Sequence, residues 1–419
     1  MTRILTATLG YPRIGENREW STWLAQYWSG TMGEHELLAN MAALRLKGLA
    51  AQRKAGIDWI ASGDFSLYDH MLDAACMFGL VPGRFPYAGG PVSTALYFAM
   101  ARGTETAAAC RKADWFGTGY YHVVPELGER EPVLAENRPL AAYLEAKRSL
   151  GLETAPVLTG PYTFVKLAER KDGGSLENWI GRLAPLYGQA LRELAAAGAA
   201  WVQLSEPALS RDMPENELAA VEAAYAAIRR AAPAIRIMLQ IPYGPAAHYG
   251  RLIRLPVNGI GLDFVHGREN NLAAVLSLGV PAGWRLGVGL IDGQGVWRTD
   301  LQEAVFLVKT LARALGGACE LALQPSCSLQ HVPVSLAGES GLAPHVKAIL
   351  AFADEKLDEL VTLKRALNRV GTVTLAAEEK IHESAVAVRN RPLYAKRGLS
   401  VESGWVQTMG ADCMRKRIS

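Results

Sequence analysis

The stretch Ala199-Ala-Trp-Val-Gln-Leu-Ser-Glu-Pro-Ala-Leu209 carries the pattern that decides the fold. Its apolar core, Trp201 to Leu204, predicts a short strand that is buried on both faces. Pro207 has no backbone N–H for a sheet ladder, so the strand is expected to end before it. A polar pair, Ser205 and Glu206, therefore stands at the carboxyl end of a buried strand.

The same pattern recurs along the chain. Seven further apolar runs are predicted as strands, most of which end in Gly, Pro or a polar pair, at 5–12, 57–65, 156–164, 235–241, 259–265, 284–291 and 319–324. Helices are predicted between or after them at 17–54, 175–197, 214–231, 245–253, 299–315 and 343–368, and a segment at 268–279 with no assigned structure leads to the strand at 284–291. Strands that alternate with helices indicate a parallel sheet of βαβ units, and a count of eight favours a closed (β/α)8 TIM barrel.

A doubly wound open sheet is the alternative α/β architecture. Its dinucleotide-binding form is disfavoured, because no Gly-x-Gly-x-x-Gly follows the first strand. Within the barrel we expect a long insertion between strands 2 and 3, residues 66–154, with a small-residue helix near 103–113. We predict a barrel over residues 1–370 and a linker-like, helical C-terminal extension over 371–419.

Composition narrows the class of protein. Apolar residues make up 50% of the 419 residues and charged residues 20%, which is typical of a globular protein with a large core. A net charge of +3 gives no reason to expect a nucleic-acid or membrane partner. The five cysteines are an odd number without close pairs, and the first residues lack a secretory signal, so we expect a cytoplasmic protein.

In a (β/α)8 barrel the active site lies at the carboxyl ends of the strands. The polar residues predicted there are Asp64, Thr159, Ser205, Glu206, Tyr243, Asp263, His266, Asp292, Ser326, Cys327, Ser328 and His331. Each of them alone could simply satisfy the backbone of a loop. As a set, their carboxylates, imidazoles and thiol indicate a functional rim.

Five motifs in this order resemble the N-terminal half of cobalamin-independent methionine synthase. They are Leu9-Gly-Tyr-Pro-Arg-Ile-Gly15, Gly63-Asp-Phe-Ser-Leu-Tyr-Asp-His70, Trp201 to Leu209, Gly289-Leu-Ile-Asp-Gly-Gln-Gly-Val-Trp-Arg298 and Pro325-Ser-Cys-Ser-Leu-Gln-His331. The resemblance implies a role in methionine biosynthesis, in an enzyme of two facing barrels. That enzyme moves a methyl group from 5-methyltetrahydrofolate polyglutamate to homocysteine. Its second barrel holds the catalytic zinc, and its first contributes to the site of the folate tail.

The resemblance also predicts that this chain lacks a complete zinc site. Placed strand by strand, the family's ligand positions correspond to Met238, Gln240, Asp263 and Cys327. Only the last two side chains could bind metal, although His266 and His331 could in principle complete a site. We therefore expect no catalytic residue and no cofactor in this chain alone, with zinc only in a partner barrel of the methionine synthase type.

Substrate contacts are expected, from the resemblance, at Asn17, Arg18, Glu19, Trp20, Lys112, Asp114, Glu206 and Asp263. The tail site departs from the family pattern. Where the family has Arg-Arg-Glu-Leu-Lys, this chain has Asn17-Arg-Glu-Trp-Ser21, and Asp114 replaces a lysine. The loss of two cations from this stretch, together with the exchange of a lysine for the anionic Asp114, should weaken the binding of a carboxylate-rich tail.

Three functions remain open at this point. The chain could work as one part of a split methionine synthase, or be a non-catalytic paralogue that binds a small ligand or a partner protein. It could also be an independent enzyme that uses Glu206 and Asp263 for acid–base chemistry. Residues 404–413 resemble a segment of the family's second barrel and could be a remnant of it.

Overall fold

The computed structural model describes residues 4–368 and 373–394 of the chain. Its strands are β1 (Ile4–Thr6), β2 (Ala61–Ser62), β3 (Lys112–Asp114), β4 (Tyr121–Val123), β5 (Glu126–Leu127), β6 (Ala155–Thr159), β7 (Glu169–Arg170), β8 (Trp201–Ser205), β9 (Arg236–Ile241), β10 (Gly259–Asp263), β11 (Arg285–Ile291) and β12 (Glu320–Pro325).

The α-helices alternate with these strands over most of the chain. They are α1 (Glu19–Trp28), α2 (Glu34–Ala55), α3 (His70–Met77), α4 (Thr94–Arg102), α5 (Arg138–Leu150), α6 (Pro161–Lys166), α7 (Leu176–Ala196), α8 (Glu215–Ala231), α9 (Tyr249–Leu252), α10 (Arg268–Leu278), α11 (Leu301–Leu315), α12 (Pro344–Lys347), α13 (Ala353–Asn368) and α14 (Val373–Tyr394). Within the described residues, none of the helices has the length and apolarity needed to span a membrane.

Eight strands form one sheet in the order β1-β12-β11-β10-β9-β8-β6-β2. From β2 to β12, strands of this sheet that follow one another along the chain are neighbours in space, and β1 lies beside β12. A doubly wound sheet reverses its order near the middle, so this order excludes that alternative. The predicted α/β class with eight parallel strands is confirmed.

The chain divides into two compact units. Unit 1 contains residues up to Ile60, Gly117–Tyr120 and residues from Leu262 onward, whereas unit 2 contains Ala61–Phe116 and Tyr121–Gly261. The predicted division at residue 370 falls within residues 369–372, outside the described residues, and stays a prediction.

Unit 2 is built around β8. Parallel pairing sets Leu204 beside Leu158 of β6 and beside Leu239 of β9. Leu204 and Leu239 have no exposed surface, and Leu158 is 6% exposed. Such double-sided burial explains why β8 is a continuous apolar run rather than an alternating one.

The segment that follows β2 in unit 2 differs from one prediction. The helix expected near 103–113 is wrong, because α4 ends at Arg102 and the chain then turns at Gly103, whose φ is 80°. A Cβ at Gly103 would lie 2.9 Å from the Ala109 nitrogen, so the close turn requires glycine. Residues Lys112–Asp114 instead pair antiparallel with Tyr121–Val123.

In unit 1, β12 pairs in parallel with β1 and with β11. The helical segment that leads to α13 is interrupted. A single helix over 343–368 was expected, but α12 and α13 are separated by an extended segment. Leu350 forms a bridge with Trp297, and the Ala351 N–H donates to the Val296 carbonyl at 2.8 Å. These contacts draw the backbone out of helical geometry between the two helices.

Candidate ligand-binding site

Unit 1 contains a cavity of about 350 Å³ between the segment after β1 and the segment after β12. Its lining is formed by Arg13, Ile14, Gly15, Glu16, Asn17, Arg18, Trp20, Tyr120, Gln330, His331, Val332, Pro333, Val334, Ser335, Ala337, Gly338, Glu339 and Asp354. Asn17, Arg18 and Trp20 were predicted to contact substrate, and they meet here. The cavity is large enough to enclose part of a small organic ligand.

The tight loop before α1 fixes the wall of this cavity. Gly15 has a φ of 79°, and a Cβ there would lie 2.9 Å from the carboxyl carbon of Glu19. That carboxylate turns back and accepts a hydrogen bond from the Asn17 backbone N–H at 2.7 Å. Glu19, expected to contact substrate, therefore braces the loop, while Asn17 and Arg18 remain at the lining.

Arg13 is the unusual residue of the site. Its side chain is only 8% exposed, and its guanidinium carbon lies 4.6 Å above the centre of the Trp20 ring. No described residue pairs with its guanidinium through a hydrogen bond or a salt bridge. Stacking on Trp20 holds the planar group in place and leaves its N–H donors available to a ligand.

The opposite wall is formed by His331 and Tyr120. The two rings meet edge to face with centres 4.8 Å apart, and the Tyr120 hydroxyl donates to the Gln330 carbonyl at 3.2 Å. Burial, with a contribution from the charge of Arg13, lowers the pKa of His331 to about 3. His331 is therefore neutral at physiological pH and adds no positive charge to the cavity.

Three acidic side chains also reach the lining. Glu16 forms a salt bridge of 3.0 Å with Lys47, and Asp354 accepts a hydrogen bond of 2.6 Å from the hydroxyl of Tyr11. Burial and this carboxylate raise the pKa of Tyr11, which keeps the phenol protonated. Glu339 is half-buried and has no ion-pair partner in the described part of the chain.

Glu206 lies in unit 2, and its carboxylate is completely buried. Its oxygens accept hydrogen bonds from the backbone N–H groups of Tyr162 at 3.0 Å and Thr163 at 2.7 Å, at the start of α6. The hydroxyl of Tyr225 lies 3.3 Å from the same carboxylate. Burial outweighs these contacts and raises the pKa of Glu206 to about 7. The contacts tie Glu206 to the scaffold, and its predicted role with substrate stays a prediction.

Asp263, in unit 1, is also fully buried at the end of β10. One carboxylate oxygen accepts from the backbone N–H groups of Val265 and His266, both at 2.8 Å. The other lies 3.1 Å from Nδ1 of His266 and, as a hydrogen-bonding partner, raises the pKa of that imidazole. Asp263 thus shapes the turn after its strand, and it does not line the cavity.

Two of the four positions that correspond to the family's zinc ligands carry Met238 and Gln240, and both side chains lie in the core of unit 2. Met238 is an apolar core residue, and Gln240 donates a hydrogen bond of 2.7 Å to Gln203 within the core of unit 2. In unit 1, Cys327 is buried, burial raises the pKa of its thiol, and a Cβ on Gly293 would lie 2.7 Å from its sulfur. Across residues 4–368 and 373–394, no three His, Cys, Asp or Glu side chains are grouped to hold an ion.

Lys112 and Asp114 lie on the exposed strand β3 of unit 2, where the Lys112 ammonium is 5.3 Å from the centre of the Tyr68 ring. The adjacent Phe116 stacks on Tyr243 with ring centres 5.6 Å apart. Both have positive φ, 51° and 68°, a conformation that costs energy for bulky residues. Tyr243 was among the predicted strand-end residues, but no sequence pattern predicted its stacking on Phe116 or the positive φ of the two residues.

Arg13, Tyr120 and Glu339 of the cavity were missed as site residues. Arg13 stands within the motif Leu9 to Gly15, so a signal was present in the sequence. Its burial was not predictable from its neighbours in the chain, because arginine is seldom fully buried unless it is paired. Tyr120 and Glu339 offered no comparable local signal.

Comparison with known proteins supports the resemblance. Residues 5–316 match the family described as cobalamin-independent synthase, N-terminal domain. A 5-methyltetrahydropteroyltriglutamate–homocysteine methyltransferase of Halalkalibacterium halodurans is 46% identical over 362 residues, which are 86% of this chain and 48% of that protein. The enzyme of the same name from Listeria monocytogenes is 42% identical over 93% of this chain and 51% of its own length. The chain thus spans about half the length of these relatives.

Solved structures show the same fold. A B12-independent methionine synthase from Shewanella sp. W3-18-1, solved with selenomethionine, superposes with a TM-score of 0.59 at 16% identity, covering 88% of this chain and 98% of that one. A putative vitamin-B12-independent methionine synthase from Listeria monocytogenes has the same TM-score at 14% identity, over 88% of this chain and 99% of that one. By its sequence match, the chain belongs to the cobalamin-independent methionine synthase family, and its residues 5–316 correspond to that family's N-terminal domain.

Proposed function

We propose that this chain binds the glutamyl tail of 5-methyltetrahydrofolate and works with a zinc-bearing catalytic barrel that transfers the methyl group to homocysteine. The observation that carries the proposal is the cavity of unit 1, where Asn17, Arg18 and Trp20 lie together with the buried Arg13. Guanidinium groups are suited to the carboxylates of a folate tail. The methyltransferase names of the relatives support the same reaction class.

The finer architecture belongs to this proposal. We infer that the eight-stranded sheet closes as a (β/α)8 barrel, with residues 66–154 as an insertion and residues 371–419 as an extension. In unit 1, Ala7 bridges Trp59 in parallel, two residues before β2 begins, and the Trp59 N–H donates to the Thr6 carbonyl at 3.0 Å. This contact supports closure next to β1. The possible remnant at 404–413 lies outside the described residues.

The zinc is assigned to a second barrel for a chemical reason. Only the thiolate of homocysteine attacks the methyl group, and a free thiol with a pKa near 8.5 is mostly protonated at neutral pH. Coordination to zinc stabilises the thiolate, and two zinc-ligand positions of this chain hold Met238 and Gln240, which lack the imidazole and thiolate groups that bind zinc. Residues 4–394 are thus proposed to hold the methyl donor rather than to activate the thiol. We place this work in the cytoplasm.

A second candidate function is a non-catalytic paralogue that binds a small ligand or a protein. The observation that favours it is the full engagement of Glu206 and Asp263 in scaffold hydrogen bonds. The same observation weakens an independent acid–base enzyme, because neither carboxylate has a free oxygen toward solvent. Both candidates predict a ligand in the cavity, and methyl transfer distinguishes them.

The experiment is a steady-state assay of methyl transfer from 5-methyltetrahydrofolate triglutamate to homocysteine. The purified chain is tested alone and with a zinc-loaded second barrel of a methionine synthase. We expect transfer only in the mixture, with an Arg18→Gln variant raising KM for the folate and an exposed Arg313→Gln variant serving as the matched control. Turnover near about 1 per second by the chain alone would contradict the proposal. A mixture without activity would favour the paralogue.

A further inference from the structure

Unit 1 exposes large apolar side chains on two neighbouring helices. Three of the four most exposed large apolar residues in the described part of the chain lie there, namely Phe306 of α11 at 70% and Leu278 and Leu276 of α10 at 57% and 47%. A salt bridge of 2.7 Å between Arg268 and Glu303 joins the first turns of the two helices. Leu276, Leu278 and Phe306 form what we call the α10–α11 face. Apolar residues grouped in this way mark an interaction surface, whereas single ones do not.

Packing within unit 1 does not account for Phe306. The inner face of α11 is already supplied by buried residues spaced three and four apart, which are Leu301, Ala304, Leu307, Val308, Leu311 and Leu315. Phe306 lies outside this stripe, on the solvent side of the helix. Contact with another molecule would remove its apolar surface from water.

The charges beside Phe306 indicate which molecule covers it. Glu303 precedes Phe306 by three residues and Lys309 follows it by three, and all three side chains are exposed. Residues three apart lie on the same side of a helix. Lys309 forms no ion pair with any residue that the structure describes, and the side chain of Glu303 stays 56% exposed beside Arg268. An acid and a base therefore stand at equal distances on either side of Phe306.

We propose that the α10–α11 face is the interface of a homodimer, in which two α11 helices pack antiparallel about a two-fold axis at Phe306. In this arrangement Phe306 contacts Phe306 of the partner subunit, and Glu303 faces Lys309 of the partner subunit. A two-fold interface requires such a self-complementary surface, because each contact occurs twice with the roles exchanged. Leu276 and Leu278 extend the apolar contact beside the axis.

A second copy fits this face better than an unrelated partner does. An unrelated protein that is attracted by charge favours a surface of one sign, whereas here both signs alternate about a single apolar residue. The inference does not depend on the folate assignment, since neither α10 nor α11 lines the cavity of unit 1. Two helices bury an area at the low end of stable interfaces, so we expect a Kd on the order of 10 μM.

Sedimentation equilibrium of the full chain tests the proposal, at concentrations between about 1 and 100 μM. We expect the fraction of dimer to rise with concentration, and Phe306→Glu to remain a monomer throughout this range. Val133→Glu is the matched control, because Val133 is 50% exposed and lies in unit 2. This variant should dimerise like the unchanged chain.

Reversing the charges gives a sharper test of the symmetry. Either Glu303→Lys or Lys309→Glu alone places two pairs of like charges across the axis, so each should raise the dimer Kd about tenfold. The variant that carries both substitutions restores opposite charges at both places. Its Kd should return to within about threefold of the original value.

A disulfide checks the position of the axis. The cysteines of the described residues are Cys76, Cys110, Cys319 and Cys327, and all of them are buried. Cys413 lies outside the described residues and is replaced by serine in this experiment. In that background Phe306→Cys should form a covalent dimer when oxidised glutathione accepts the electrons of the two thiols, and Val133→Cys should not.

Several results would overturn the inference. These are a chain that stays monomeric at every concentration, a folded Phe306→Glu variant that still dimerises, and a doubly reversed variant that associates no better than the single ones. If the chain is monomeric and deletion of residues 395–419 produces dimers, the tail covers this face instead. If the chain is monomeric and Phe306→Glu abolishes methyl transfer in the mixture with a zinc-loaded barrel, that barrel covers it, and the proposed function stands.

Discussion

Replacing Gly160 by alanine should damage unit 2 through a single buried carboxylate. Gly160 precedes α6 with a φ of −73°, which any residue can adopt, so backbone strain is not the issue. A Cβ at this position would overlap the carboxyl group of Glu206. That carboxylate is unable to move freely, because it accepts hydrogen bonds from the backbone N–H groups of Tyr162 and Thr163.

The expected cost follows from these contacts. Overpacking of a core by one methyl group costs about 1–3 kcal/mol. Displacing the carboxylate also weakens two charge-assisted hydrogen bonds, each worth about 1.5–3 kcal/mol when intact. Because the surrounding side chains can relax, the two costs do not add in full, and we expect Gly160→Ala to lower the free energy of unfolding by about 3–5 kcal/mol. A loss of stability of that size is at the upper end of what single substitutions cause.

A double-mutant cycle makes the mechanism testable by urea unfolding at pH 7. Glu206→Ala removes the side chain that the new methyl group would strike, so Gly160→Ala should cost less than about 1 kcal/mol in that background. The coupling energy should then exceed about 2 kcal/mol. Additive effects of the two substitutions, or a single Gly160→Ala variant as stable as the unchanged protein, would refute the reasoning.

Three further predictions concern titration and reactivity. Burial raises the pKa of Glu206 to about 7, so the folded state retains a proton that the unfolded chain has already released. The free energy of unfolding should therefore fall as the pH rises from about 5 to 8. In the Glu206→Gln variant, the urea midpoint should depend less steeply on pH. Hydrogen bonding to Asp263 raises the pKa of His266, so this contact stabilises the fold most at low pH and is lost as pH rises through the folded pKa. Asp263→Asn should lower the pKa of His266 measured by NMR, and an unchanged value would count against the contact. The buried Cys327, whose pKa burial raises, should resist alkylation by iodoacetamide at pH 8 until the protein is unfolded, and rapid labelling of the native protein would contradict its placement.

The sequence was most informative where local pattern and tertiary burial agree. The helices predicted at 175–197 and 214–231 correspond to α7 and α8 within two residues, because their apolar faces repeat at helical spacing. The strand around Trp201 was predicted equally well, since a short apolar run that ends before a proline is typical of a buried strand. In these cases each local preference supports the global fold.

Secondary-structure predictions from the local sequence pattern were wrong where contacts with distant residues determine the conformation of the backbone. The small residues near 103–113 have helical composition, but Gly103 turns the chain back and β3 pairs with β4. The helix expected over 343–368 is interrupted because Leu350 bridges Trp297, about fifty residues earlier in the chain. Neither partner is visible from a window of neighbouring residues.

The candidate site was predictable only in part. The family motifs led to Asn17, Arg18 and Trp20, which share one cavity in unit 1. They did not single out Arg13, because its importance lies in being buried without a partner, a property that depends on the segment after β12. Residues of unit 2, such as Lys112 and Glu206, were expected at the site from the resemblance, and their part in binding stays a prediction.

Hydrogen exchange measured by mass spectrometry tests the central claim most directly. The backbone amides of the full chain are compared with and without saturating 5-methyltetrahydrofolate monoglutamate. We expect slower exchange in peptides that cover residues 13–20 and 330–339, which line the cavity, and no change in peptides that cover 201–209. A folate that binds without protecting residues 13–20, or that protects only peptides elsewhere in the chain, would contradict the assignment of this cavity as the folate-tail site.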